Sequence, residues 1–161
     1  MARGKTYIVR VPATTANIGS GFDTLGMSLG LYNVVQLKIR YSDDCLPLRG
    51  NIDALSYDIS ILYKSHAEGE GVDQITTGLD NMIIKAMDVT ASKAGRTLPG
   101  GSMYLIKRIP FARGLGSSSA ALASGVFLAN LLMGEPFNRK ELLDITAEME
   151  GHPDNAAQNQ V

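Results

Sequence analysis

Between Pro110 and Ala120 the chain follows a turn-forming proline with Phe111, Ala112, Arg113, Gly114, Leu115, Gly116, Ser117, Ser118 and Ser119. Glycines let a backbone turn sharply and approach a ligand closely. The first amides of a helix have no partner within it and can bind phosphate oxygens. The helix dipole adds ~0.3–1 kcal/mol for a nearby negative charge. Serine hydroxyls can donate to phosphate or ligate magnesium, a hard ion that prefers oxygen. Ala120, Ala121 and Ala123 keep the first helical turns thin. Strand, Gly-Leu-Gly, then a serine-rich helix start is the order that builds an anion cradle. A serine-capped helix with alanines packed on a sheet is the plainer reading, and for a lone Gly-x-Gly the better one. Here proline, glycines, serines and alanines coincide, which favours phosphate. The stretch is not the mononucleotide P-loop, because no GxxxxGK[ST] occurs. Nor does it read as GxGxxG with an acidic residue ~20 positions on.

The elements around this stretch must hold it in place. Thr6–Val11 is β-rich, and Pro12 is expected to limit its far end. A loop of small and polar residues follows, with Gly19, Gly21 and Gly26. Leu31–Ile39 reads as a strand, with Val35, Leu37 and Ile39 alternating against Gln36 and Lys38. Residues 42–79 are irregular, and their short strands have no clear periodicity. Asp80 or Asn81 is placed to cap a helix through Ile83, Ile84, Ala86, Met87 and Ala91 that ends near Gly95. Gly101–Arg108 is a strand. A helix from Ser117 stops before Gly134, and a last one runs from an Asn138 N-cap to Glu150. Strands neighbour one another without strict βαβ alternation, which predicts an α+β fold.

The whole chain narrows the partners. Its 161 residues suit one domain with a real core. An apolar share of 45% and a charged share of 19% describe a globular chain. The net charge of −1 argues against nucleic acid or an anionic membrane as partner, but not against a small anion held locally. Cys45 is the only cysteine and there are two histidines, so neither an internal disulfide nor a Cys/His zinc site can form. No secretion signal is apparent, and a cytoplasmic location is expected.

Pro110-Phe111-Ala112-Arg113-Gly114-Leu115-Gly116-Ser117-Ser118-Ser119-Ala120 resembles the ATP-binding signature of the GHMP kinases, which phosphorylate galactose, homoserine, mevalonate and related small molecules. VPATTANIGSGFDTLGMSL (11–29) resembles the first motif of the homoserine kinases in that family, and EMEGHPDNAA (148–157) resembles their EGHPDN block. The three blocks stand in family order and span nearly the whole chain. Ser20 and Gln158 stand where the family pattern has proline.

The resemblance implies a GHMP N-terminal domain over 1–161, similar to the second domain of ribosomal protein S5, with the C-terminal domain absent from this chain. It implies ATP-dependent phosphorylation of L-homoserine to O-phospho-L-homoserine, on the route to threonine, with Mg²⁺. Residues 110–120 would bind ATP, with Asn81 near the nucleotide. Asn17, Asp23, His152 and Asn155 would hold homoserine, with Asp23 facing its ammonium group. Ser118 and Glu148 would hold the metal, with Ser117 and Glu150 as the alternatives, since a two-residue spacing puts the glutamates on different helical faces. A homodimer is among the assemblies the resemblance allows. The missing half would carry the basic residues for the homoserine carboxylate.

Overall fold

The computed structural model of the chain describes residues 5–16, 26–39, 58–61, 75, 80–96, 98 and 101–151. Within them lie β1 (Thr6–Ala16), β2 (Gly26–Ile39), β3 (Asp58–Ile61), α1 (Met82–Lys93), β4 (Gly101–Ile106), α2 (Ser117–Leu132) and α3 (Arg139–Glu150). The sheet order is β1-β2-β4-β3. β2 pairs antiparallel with β1 and β4, while β3 pairs parallel with β4. A parallel pair requires a crossover, and α1 lies between the two strands in sequence.

Period-2 patterning sets the buried face. Val9, Val11 and Ala13 of β1, Val35, Leu37 and Ile39 of β2, and Met103 and Leu105 of β4 all point into one core. Ile83, Ile84 and Met87 of α1 and Ala120, Ala123 and Leu128 of α2 close it from the helix side. On its other flank α2 joins a second cluster through Leu122 and Val126, which meet Ala86 of α1 and Leu142 and Ile145 of α3. A helix that is apolar nearly all round is a buried one, and α2 is the centre of the helical layer.

Two features fix α2 against its neighbours. A Cβ built on Gly125 would lie 2.2 Å from the Ile83 carbonyl oxygen and 2.6 Å from the Ala86 Cβ. Only glycine admits so close a crossing with α1. At the far end, the Asn130 side chain accepts from Phe137 N–H at 3.0 Å and donates to Phe137 O at 3.1 Å. That clamp closes the turn into α3.

β1 runs five residues beyond the predicted end at Val11. Pro12 does not stop it, because β1 is an edge strand and Pro12 sits where its register with β2 shifts. Edges and bulges are where a strand tolerates proline. Pro12 pairs with Tyr32 and Ala13 with Leu29, so Gly30 and Leu31 are the extra residues of β2 at that step.

Candidate active site

The turn from β4 into α2 is assembled by buried polar groups. Asn33 lies on the inward face of β2 and is only 4% exposed. Its Oδ1 accepts from the backbone N–H of Arg108 at 2.9 Å and of Ile109 at 3.0 Å. Lys107, also inward, donates through Nζ to the carbonyl of Ile109. The same ammonium lies 3.6 Å over the Phe111 ring. Burial lowers the Lys107 pKa below 10.5, since desolvation disfavours the charged form. The carbonyl and the ring offset part of that cost.

Beyond Phe111 the backbone enters the left-handed region at Ala112 (φ 53), Gly114 (φ 68) and Gly116 (φ 65). Ala112 is held there despite its Cβ, a conformation that costs on the order of 1–3 kcal/mol. The two glycines serve different ends. A Cβ on Gly114 would meet nothing within 4 Å, so its open side is free for close approach. A Cβ on Gly116 would fall 2.2 Å from the Thr14 hydroxyl oxygen. Gly116 is therefore spent on seating the loop against β1, where Thr14 N–H also donates to Leu115 O at 3.1 Å.

Gly116 is the N-cap of α2 and, as a glycine, brings no capping side chain. The first intrahelical bond runs from Ala120 N–H to Gly116 O at 2.9 Å, so the amides of Ser117, Ser118 and Ser119 precede it. Beside this start lies a cavity of about 230 Å³ lined by Asn33, Asn81, Lys107, Phe111, Ser117, Ser118 and neighbouring apolar side chains. Asn81 both lines the cavity and caps α1, its Oδ1 accepting from Ile83 N–H at 2.9 Å. The residues from Pro110 to Ala120 thus form one continuous turn and helix start, with Asn81 across the cavity from it.

The two glutamates of α3 part company. Glu150 accepts from the Ser119 hydroxyl at 2.8 Å, at the start of α2. Glu148 instead pairs with Lys93 of α1 at 2.8 Å, with two thirds of its side chain exposed. Two residues turn a helix by about 200°, so only one can face the serines. Glu150, the alternative in the resemblance, is thus the glutamate that faces the start of α2, while Glu148 turns to α1. The Ser119 hydroxyl and the Glu150 carboxylate are hard oxygens of the kind magnesium prefers, whereas the Ser118 hydroxyl lies 3.9 Å from Met82 Sδ. Asn17, Asp23, His152 and Asn155 lie outside the described residues.

Sequence reasoning passed over Asn33, Lys107 and Thr14. Asn33 and Lys107 had a visible signal: each falls on the inward register of its strand, where an unpartnered polar group would be costly. Thr14 had none, because its neighbour Gly116 is remote in sequence.

Residues 81–159 match the family model described as "GHMP kinases N terminal domain". The chain carries a GHMP kinase N-terminal domain. It is 37% identical over 153 residues to a homoserine kinase of Deinococcus radiodurans, and 38% over 152 residues to one of Synechocystis. Those alignments cover 95% and 94% of this chain but 43% and 44% of the relatives, so the chain spans less than half their length. The crystal structure of homoserine kinase from Cytophaga hutchinsonii superposes with a TM-score of 0.72 at 25% identity, covering 98% of this chain and 46% of that one. Mevalonate kinase from Methanococcus jannaschii, at 14% identity and a TM-score of 0.66, covers 99% and 52% and shares the fold. The α+β mixture of this GHMP domain is that of its structural neighbours.

Proposed function

We propose that the protein bearing this domain transfers the γ-phosphoryl group of ATP to the side-chain hydroxyl of L-homoserine, giving O-phospho-L-homoserine and ADP for threonine synthesis. The start of α2 carries the reading: a helix with a glycine N-cap that opens on three serines, reached through two left-handed glycines, with Glu150 alongside. The homoserine kinases to which the chain is similar supply the acceptor.

On this reading Gly114, the amides of Ser117 to Ser119 and the serine hydroxyls receive the triphosphate. The cavity between Asn81, Lys107 and Phe111 receives the rest of the nucleotide. Ser118, with Ser117 as alternative, and Glu150 would hold Mg²⁺, which when bound supplies charge neutralisation at the phosphates. Asn17, Asp23, His152 and Asn155 hold homoserine, with Asp23 on its ammonium group by a charge-assisted bond. Such chemistry rests on positioning and electrostatics more than on covalent help from the protein. The homoserine carboxylate is met by residues of a C-terminal domain outside this chain, and the enzyme works in the cytoplasm. Among the described residues no helix is long and apolar enough to cross a membrane.

A coupled assay of ADP release tests the reading, with the domain in its full-length protein and homoserine, mevalonate or galactose as acceptor. Homoserine is expected to lead in kcat/KM by at least ~10-fold, a difference of about 1.4 kcal/mol in transition-state binding. A lead by either other acceptor makes the protein a different kinase of the family. Nucleotide binding with no turnover on any of the three makes it a binding module.

A further inference from the structure

We infer that Thr14 is a positioning residue that sets the phosphate loop against the strand leading into the acceptor-binding segment. The inference rests on the proposed kinase reading for its functional half and on geometry alone for its structural half.

Thr14 is fully buried near the end of β1, just past the register shift at Pro12 and Ala13. In the last residues of β1, Thr14 pairs with Ser28 on one side. On the other, its N–H donates to Leu115 O at 3.1 Å, so the phosphate loop adds one residue to the free edge of β1. The side chain makes a second contact with the same loop. The hydroxyl oxygen lies 2.2 Å from where a Gly116 Cβ would stand, with the Thr14 carbonyl oxygen at 3.4 Å and its Cβ at 3.5 Å. Gly116 is the left-handed N-cap of α2, so the direction of the first α2 amides follows from where Thr14 stops it. Three residues after Thr14 comes Asn17, the first of the proposed homoserine ligands. One side chain thus stands at the junction of the segment that carries the donor and the segment that carries the acceptor.

Transfer needs the two reactants aligned, and a misplacement of ~1 Å at a distance from the chemistry can cost about 10²-fold. A residue that fixes the junction acts on kcat more than on either Michaelis constant, because each loop still binds its own ligand.

The experiment uses the full-length protein and four forms: wild type, Thr14→Ala, Gly116→Ala and the double variant, with Thr14→Ser as the conservative control. Thr14→Ala is expected to lower kcat at least ~10-fold with both KM values within about threefold, and Thr14→Ser to stay within about twofold of wild type. Gly116→Ala should lose more, because its new methyl meets the Thr14 hydroxyl. Removing that hydroxyl in the double variant should restore at least ~10-fold of the activity lost, with melting temperature recovering in parallel. Additive losses in the double variant would overturn the contact. A Thr14→Ala protein with lowered melting temperature and wild-type kcat would overturn the positioning role. Should wild type ignore homoserine yet turn over another acceptor, only the acceptor assignment fails, and the same four forms are judged on that acceptor. A wild type that turns over no acceptor overturns the functional half, while melting of the four forms still judges the contact.

Discussion

The domain starts two of its helices in opposite ways. α3 opens on Asn138, in extended backbone at φ −79 and ψ 173, whose Oδ1 accepts from the amides of Lys140 at 2.9 Å and Glu141 at 3.1 Å. Glu141 answers by accepting from Asn138 N–H at 2.8 Å. This closed capping box satisfies its own donors. α2 opens on Gly116, in left-handed backbone, a residue with no side chain of its own to cap with. A cap contributes ~1 kcal/mol, and α2 forgoes it while packing more tightly than α3. The difference separates a helix start closed by its own side chains from one whose cap residue is bare backbone.

The sharpest way to break the comparison is at Gly116. Gly116→Val puts a branched side chain into left-handed backbone and onto the Thr14 hydroxyl. Loss of at least ~100-fold in ATP-dependent turnover is expected, about 2.7 kcal/mol or more. Steady-state kinetics checks it, and activity within tenfold of wild type would mean that the turn into α2 does not hold the nucleotide.

Next comes the pair of glutamates. Glu150→Gln removes the carboxylate beside Ser119, and turnover should fall ~10- to 100-fold with a raised requirement for Mg²⁺. Glu148→Gln removes an exposed ion pair with Lys93, which is worth under ~1 kcal/mol, and should leave the magnesium titration unchanged. If the two variants respond alike, the separation of the α3 faces has no functional meaning.

Those faces also show how far the sequence could be read. The α3 start was legible at Asn138, because an N-cap asparagine finds its partners within one turn. The α1 cap, left between Asp80 and Asn81, and the alternating strand around Val35 and Leu37 were legible for the same reason. The glycine-serine turn was legible as a motif, yet the reason for Gly116 was not, because its partner Thr14 is 102 positions away in the numbering, 116 less 14. The choice between Glu148 and Glu150 likewise needed the rotation of α3 against α2, a packing fact. β3 escaped notice because a four-residue strand has too few alternations to show a period.

At the α3 start, Asn138→Ala should cost about 1 kcal/mol through loss of the capping box. That lowers the melting temperature by roughly 2–4 °C in a domain of this size. Calorimetry checks the shift, and ADP release should stay at the wild-type rate. A fall in activity would couple the two helix starts and blur the contrast between them.

The smallest effect concerns charge. Near the α2 start Lys107 is buried, whereas the Glu141 of the α3 start is exposed. Burial lowers the folded-state pKa of Lys107 from 10.5, and desolvation is the cause. Between the lowered value and 10.5 the unfolded chain therefore holds more proton than the folded one. Stability must then rise with pH across that window. Below it both states are protonated, and the burial penalty is constant. Lys107→Met keeps the bulk and abolishes the titration, so the stability of wild type relative to the variant should improve as pH climbs toward 10.5. Urea unfolding of both proteins at a series of alkaline pH values checks this. A flat or falling difference would show that the carbonyl of Ile109 and the ring of Phe111 hold the ammonium as firmly as water does. The α2 start would then carry its charge at no cost, as the α3 start does.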